Sequence, residues 1–252
     1  MLVMASVPAA RTVWLWAGHA AYLGPSFQLD AHSTPVQCFA LGVDAPFTVT
    51  VGERTWSRRS ALIPARTVHR LDAGAGRMLF CYTDPRSVHA DLLRSAMRDT
   101  APIAGDHRNE QALIDRLRDG EIGPDELDRL LLAGGAPRDI DPRIRQAMDA
   151  IIGDPAEFGA ERLAADAGLS TSRFLHLFSA GAGTSFRRYR LWARMLSVAA
   201  AVSESRDLTD AAVDAGFASP SHFSDAFRTM FGLTATTLLA QGTTVIVGGS
   251  QS

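Results

Sequence analysis

Lysine is absent: all 25 basic side chains are arginine. GC-rich coding is the simplest account of that bias. Cysteine is scarce. Cys38 and Cys81 are the only two, too few for a disulfide framework, so a reducing, cytoplasmic setting is expected. Neither lies in a basic stretch that favours a thiolate, and both read as small buried hydrophobes. No apolar run reaches the about 18 residues of a membrane span, so no membrane partner is expected. The opening stretch Met1–Pro8 lacks the basic end and apolar core of a secretory signal. Catalytic signatures are missing too: there is no Gly-x-Ser-x-Gly elbow, phosphate loop or His-Glu-x-x-His pair. An enzyme is therefore not expected.

What is present is a repeat. Ala164-Ala165-Asp166-Ala167-Gly168-Leu169 recurs 48 residues later as Ala212-Val213-Asp214-Ala215-Gly216-Phe217. Each copy runs into an amphipathic stretch ending in Phe, Phe178 or Phe227, with Gly183 or Gly232 five residues beyond. A small-residue helix, a Gly turn and a second helix make a helix-turn-helix unit. In the first copy Phe174, Leu177 and Phe178 mark the core face. In the second, Phe223, Ala226, Phe227, Met230 and Phe231 mark it. The opposite faces carry Ser172, Arg173, Leu175 and His176, and Ser221, His222, Ser224 and Asp225. Short polar groups at the start of an exposed helix suit base edges. A solvated polar face explains either helix alone, but the duplication favours DNA reading.

The rest of the chain frames this repeat. Its 252 residues hold one large domain or two ordinary ones. Residues 11–83 break into short apolar and β-branched runs, with strands expected at 12–16, 26–29, 36–41, 47–51, 61–63, 68–71 and 78–82. Many short strands suggest a sandwich or barrel. Residues 86–133 change to helical spacing through Val88, Leu92, Leu93 and Ala96, then Leu113, Ile114 and Leu117, then Leu127, Leu130, Leu131 and Leu132. Those faces either cover the barrel or pair across a homodimer. Gly134-Gly135-Ala136-Pro137 reads as a linker. Seven helices are expected near 142–152, 158–167, 171–180, 184–202, 208–215, 220–231 and 234–240. The class is α+β with two domains: a barrel in 1–85, a helical connector and linker in 86–137, an all-α domain in 138–241, and a tail in 242–252 that either adds a strand or is unstructured.

Charge gives a mixed signal. The chain carries a net −2, and residues 138–241 hold 11 Arg against 12 acids. Phosphate neutralisation normally supplies much of DNA affinity. Yet Arg187, Arg188, Arg190 and Arg194 cluster on the helix joining the two units, with no acid between Asp166 and Glu204. They are the expected phosphate contacts, which fix register without reading sequence. That helix, about 28 Å long at 1.5 Å per residue, spans much of the roughly 34 Å between successive major-groove faces.

Residues 138–241 resemble the DNA-binding domain of the AraC family of bacterial transcription regulators. The resemblance rests on Leu163 to Ser170, Phe178, Gly183-Thr184-Ser185-Phe186, Tyr189 and Arg194, then on Ala212 to Phe217, Ser221-His222-Phe223, Phe227-Arg228 and Phe231-Gly232-Leu233-Thr234. It implies two helix-turn-helix units on tandem major grooves, with base contacts from the second helix of each. The chain departs from the family pattern at Ala235, where Pro is usual, at Leu238 and Leu239, where an aromatic and Arg follow, and at Asp225, where Arg is common. Ser60 to Leu71 resembles, over about 12 residues, the late strand pair of the cupin-like barrel that serves this family as sensor. An effector pocket is expected from Trp14, His32, His69 and Phe80. A metal-binding cupin would present a His-x-His pair, a Glu and a later His. Here His32 and His69 stand without the pair, and His19 has no partner pattern, so neither metal nor cofactor is expected.

The reading is a DNA-binding transcription regulator controlled by a small-molecule effector. Its partners would be double-stranded DNA and, for an activator, RNA polymerase, with homodimerisation left open. The alternatives are a metal-dependent cupin-like enzyme with an accessory helical domain, and a protein-binding scaffold that has lost DNA affinity.

Overall fold

A computed structural model describes residues 11–16, 18–27, 29–85, 87–100, 102–133, 140–240 and 242–247. The expected linker at 134–137 and the last residues of the tail lie outside them. The described residues begin with strands β1 (Thr12–Trp16), β2 (His19–Pro25), β3 (Gln37–Gly42), β4 (Phe47–Val51), β5 (Arg54–Arg58), β6 (Ser60–Ile63), β7 (Arg70–Asp72) and β8 (Arg77–Thr83). Helix α1 (Val88–Ala96), the short strand β9 (Ala104–Gly105), α2 (Glu110–Asp119) and α3 (Pro124–Leu131) follow. Then come α4 (Pro142–Gly153), α5 (Ala160–Asp166), α6 (Thr171–Ala182), α7 (Phe186–Ser203), α8 (Leu208–Asp214), α9 (Pro220–Phe231), α10 (Ala235–Leu239) and β10 (Thr244–Val247).

A seven-stranded sheet runs β10-β1-β2-β8-β3-β6-β9, and a three-stranded sheet runs β5-β4-β7. The tail strand β10 pairs parallel with β1, Thr12 opposite Thr244. Of the two readings of the tail, a strand over Thr244–Val247 is the one that forms. One expected strand is displaced. Ser26, Phe27 and Leu29 are not strand, and the pairing falls on His19–Pro25 instead. That segment is poor in β-branched residues, so its local signal is weak. Partners on both sides override it, β1 through the turn at Gly18 (φ 98) and β8 along seven residue pairs. β5 has no counterpart among the expected strands; Gly52 (φ 57) turns β4 back into it.

The large sheet is buried on both faces, which is why its strands read as nearly unbroken apolar runs. Side chains alternate between faces. Val13, Leu15, Ala20, Tyr22, Cys38, Ala40, Met78 and Phe80 point to one side. There they meet Phe47, Val49 and Leu71 of the small sheet and, further along, side chains of α7 to α10. Trp14, Trp16, Ala21, Leu23, Phe39, Leu41, Leu79 and Cys81 point to the other. Leu93 of α1, Leu113, Ile114 and Leu117 of α2, and Leu127 and Leu131 of α3 cover that face. The connector helices therefore spend their apolar faces on the barrel rather than on a second copy.

A third cluster belongs to the first half of the helical domain. It joins Ile144, Ile151, Leu163, Phe174, Phe178, Phe186, Tyr189 and Ala193. The second half has no such separate core among the described residues. Phe217, Phe223, Met230, Phe231 and Leu238 share one cluster with the barrel.

Candidate nucleic-acid interface

The two repeat copies fold alike down to single hydrogen bonds. In the first, Gly168 (φ 66) ends α5, and the Leu169 amide donates to the Ala164 carbonyl at 2.8 Å. In the second, Gly216 (φ 84) ends α8, and the Phe217 amide donates to the Ala212 carbonyl at 3.1 Å. This left-handed C-terminal turn is what only glycine adopts without strain. Ser170 then caps α6 by accepting from the Arg173 amide, and Ser219 caps α9 by accepting from the His222 amide. α6 and α9 each end in a second left-handed glycine, Gly183 or Gly232. The last helix, α10, is capped despite Ala235 in place of Pro: Thr234 Oγ1 accepts from the Thr237 amide at 3.1 Å.

The faces separate as the periodicity predicts. Phe174 and Phe178 are buried on α6, and Phe223, Met230 and Phe231 on α9. Ser172, Arg173, Leu175 and His176 are exposed, as are Ser221, His222, Ser224 and Asp225. The Nδ1 of His222 faces the Ala218 amide at 3.4 Å, which leaves Nε2 as the outward donor. Asp225 stands 3.8 Å from Arg228 one turn on, with both side chains largely exposed. At that distance the pair is worth a few tenths of a kcal/mol at most.

The four arginines of α7 share one groove with His222, Asp225 and Thr229 of α9. It has a volume of about 750 Å³, and Pro35, Val36 and Asp84 of the barrel form its third wall. The arginines differ in their commitments. Arg187 is exposed. Arg188 Nη1 donates to Oδ2 of Asp84 at 2.9 Å, an almost fully buried carboxylate. Arg190 donates to the carbonyl of Pro155 from both Nε and Nη2, at 3.3 and 3.0 Å. Arg194 is half-buried, its pKa lowered by burial and by the neighbouring charge of Arg190. Asp84, which holds Arg188, escapes a reading of the sequence because it lies 104 residues away and at no motif spacing.

The expected effector residues divide. His32, His69 and Phe80 line one small cavity with Phe27, Tyr82 and Leu233. His32 and His69 exchange backbone hydrogen bonds at 3.0 and 2.9 Å, and their rings lie 4.8 Å apart. Burial lowers the pKa of His69. Trp14 is not with them. It points to the helix-covered face, because it alternates with Val13 and Leu15. Trp16 and Phe39 share that face, whereas Tyr82 stays on the cavity side. Both cysteines are buried and free, their thiol pKa values pushed up by burial, Cys38 to about 12.

The two halves of the chain touch through the glycines that end α6 and α9. A Cβ on Gly183 would meet the Val88 amide nitrogen at 2.8 Å. One on Gly232 would meet the His32 ring at 3.0 Å. The repeated glycine thus serves twice, for the left-handed turn and for close approach to the front half.

Comparison with known proteins accords with this geometry. Residues 163–241 match the helix-turn-helix domain family. A search of curated proteins gives no match. A single-substitution variant of ToxT from Vibrio cholerae, in its apo form, superposes with a TM-score of 0.52 at 10% identity, covering 89% of this chain and 97% of that one. A second ToxT structure from Vibrio cholerae gives 0.47 at 11% identity, over 89% and 98%. An RmlC-like cupin from Shewanella frigidimarina aligns with 28% of this chain and 69% of its own, at 14% identity and a TM-score of 0.24. Among the described residues no helix is long and apolar enough to cross a membrane. The chain thus has a fold similar to that of the ToxT variant, and its residues 163–241 match the helix-turn-helix domain family.

Proposed function

We propose that this protein is a sequence-specific, DNA-binding transcription regulator whose helices α6 and α9 enter neighbouring major grooves. One observation carries the reading: two copies of the same helix-turn-helix geometry bury their phenylalanines and expose their polar faces. The connecting α7 has 18 residues, so it is about 27 Å long. That is somewhat short of the roughly 34 Å groove repeat, and modest DNA bending makes up the difference. Ser172, Arg173, Leu175 and His176 read one site; Ser221, His222, Ser224 and Asp225 read the next.

The effector site we assign lies where the barrel meets the second unit. A cavity there is lined by Val13, Tyr22, Phe80, Phe223, Phe231 and Leu238, among others. Its wall is almost wholly apolar, so it suits a mainly apolar small molecule. At about 80 Å³ it is well below the roughly 300–1,000 Å³ of ordinary ligand sites. A ligand entering it must push the second unit away from the sheet. Effector binding would then shift the population between a docked and a released second reading head.

The test is binding of the purified chain to a fragment of its own upstream DNA, followed by fluorescence anisotropy. A good base contact is worth about 1–3 kcal/mol, so combining Arg173→Ala with His176→Ala should weaken binding by about tenfold or more. Nanomolar binding untouched by that pair overturns the choice of reading residues. A scaffold that has lost DNA affinity is favoured by the engagement of Arg188 and Arg190. Salt separates the two, because phosphate-driven affinity falls steeply as salt rises.

A further inference from the structure

The helix-covered face of the large sheet holds a buried trio of side chains that the DNA-binding reading does not use. His19 opens β2, His89 lies in the first turn of α1, and Asp128 sits on α3. One ligand-type atom from each lies within 4.8 Å of the other two. His19 is 2% exposed and Asp128 3%. The three come from separate elements, 70 and 39 residues apart along the chain, so no local pattern announces them.

The geometry of His19 is unusual for a structural histidine. Its ring is held between two others: Trp16 stacks at 4.5 Å and 7°, and His89 at 4.2 Å and 28°. Its orientation is therefore fixed, and its ring nitrogens are what it has left to offer. Nε2 stands 3.0 Å from Oδ1 of Asp128. Nδ1, also buried, has no hydrogen-bond partner. A buried imidazole and carboxylate this close, with a second imidazole beside them, bring three donor atoms of ligand type to one point. Around tetrahedral zinc, with bonds of about 2.0–2.1 Å, ligand atoms sit roughly 3.3 Å apart. The His19–Asp128 pair is already near that spacing, and rotation of the half-buried His89 closes the rest.

We propose that His19, His89 and Asp128 form a binding site for one divalent transition-metal ion of the zinc class. Two imidazole nitrogens and a carboxylate oxygen are a common donor set for zinc, with a fourth position for water. Neutral imidazole is the ligating form. This is not the site a cupin would use. His19 shares its sheet face with Ala21 and Leu23, away from His32 and His69. A bound ion would tie α1 and α3 to β2, stapling the connector helices onto the barrel.

The experiment strips the full chain with a chelator and titrates it with Zn²⁺ or Co²⁺ alone. Calorimetry and the visible absorption of protein-bound cobalt report the stoichiometry and ligand field. One ion per chain is expected, and zinc should raise the melting midpoint. His89→Ala and His89→Gln alter a half-buried side chain, and circular dichroism checks that they stay folded. Each should lose at least about tenfold in cobalt affinity, since even outer-shell changes cost 10–100-fold, and each should lose the zinc-dependent rise in melting. A folded wild type that takes up no ion at excess zinc overturns the site. So does equal cobalt binding by the wild type and both variants.

Discussion

Asp84→Asn should tighten DNA binding, because Asp84 occupies the arginine that a phosphate would otherwise claim. Its carboxylate is 1% exposed and accepts from Arg188 Nη1 at 2.9 Å, while the Arg188 side chain is 34% exposed. Hydrogen bonds to charged groups are worth about 1.5–3 kcal/mol. Solvent screening of the half-open arginine puts this pair at the low end, about 1.5 kcal/mol. At 1.4 kcal/mol per factor of ten, DNA that must displace the carboxylate loses about tenfold in affinity. Asparagine keeps the shape and a weaker acceptor while removing the competing charge. A freed Arg188 adds one phosphate contact, so the slope of log K against log salt should steepen by about 0.9. The decisive assay is a double-mutant cycle followed by anisotropy over about 50–200 mM salt. Arg188→Ala should be nearly silent in the wild type and cost about tenfold in the Asp84→Asn background. If Asp84→Asn changes neither affinity nor slope, or Arg188→Ala costs the same in both backgrounds, the competition does not exist.

The glycines give a graded test of stability by urea denaturation. Gly168→Ala carries only the strain of φ 66, with nothing within 4 Å of the new Cβ, and should cost about 1 kcal/mol. Gly232→Ala adds a contact that the His32 ring can relieve by moving, and Gly183→Ala adds one against the Val88 backbone that cannot yield; losses that fail to rise in that order refute the close approach of the two halves. His107 predicts pH dependence. It is buried, donates from Nε2 to the Leu131 carbonyl at 2.9 Å, and accepts at Nδ1 from the Asn109 amide at 3.1 Å. Burial, then Arg108 and Arg98, lowers its pKa below 6.5, so the unfolded chain takes up the proton first. Its own contribution to stability should therefore be complete above pH about 6.5 and fall below it, by at most about 1.4 kcal/mol per pH unit, beside those of His69 and His89, whose pKa values burial also lowers. His107→Gln should make the fall shallower, and an unchanged slope removes His107 as a source of it.

The helical half is nearly all legible in the sequence because its signals are local. Ser170, Ser219 and Asp207 cap helices within three residues of the amides they bind. Gly168 and Gly216 end helices by their own backbone preference. The front half is less legible because its decisions are made at long range. β2 forms where two neighbouring strands want it, not where its own residues do. Chemistry alone assigns Trp14 to the effector pocket, but a period of two puts it behind the sheet once Val13 and Leu15 face forward. Asp84 on Arg188 and Asp128 on His19 are pairings across the fold, and no spacing rule connects them.

The two helix-turn-helix units are therefore unequal in a way that duplication hides. α5, α6 and the first half of α7 pack with α4 on a core of their own. α8, α9 and α10 complete theirs only with the second half of α7 and the barrel sheet. Burying each large side chain contributes about 1.5–3 kcal/mol, so the few that the second unit shares with the barrel outweigh the Arg188–Asp84 pair. A molecule that wedges open that junction acts on the second head while the first keeps its packing. On the function proposed here, the first unit would hold its half-site in either state. The effector would decide whether the second site is read as well, making the control a change in the length of DNA recognised rather than in binding as such. Lengthening the operator beyond the first half-site should then raise affinity in one effector state and not in the other.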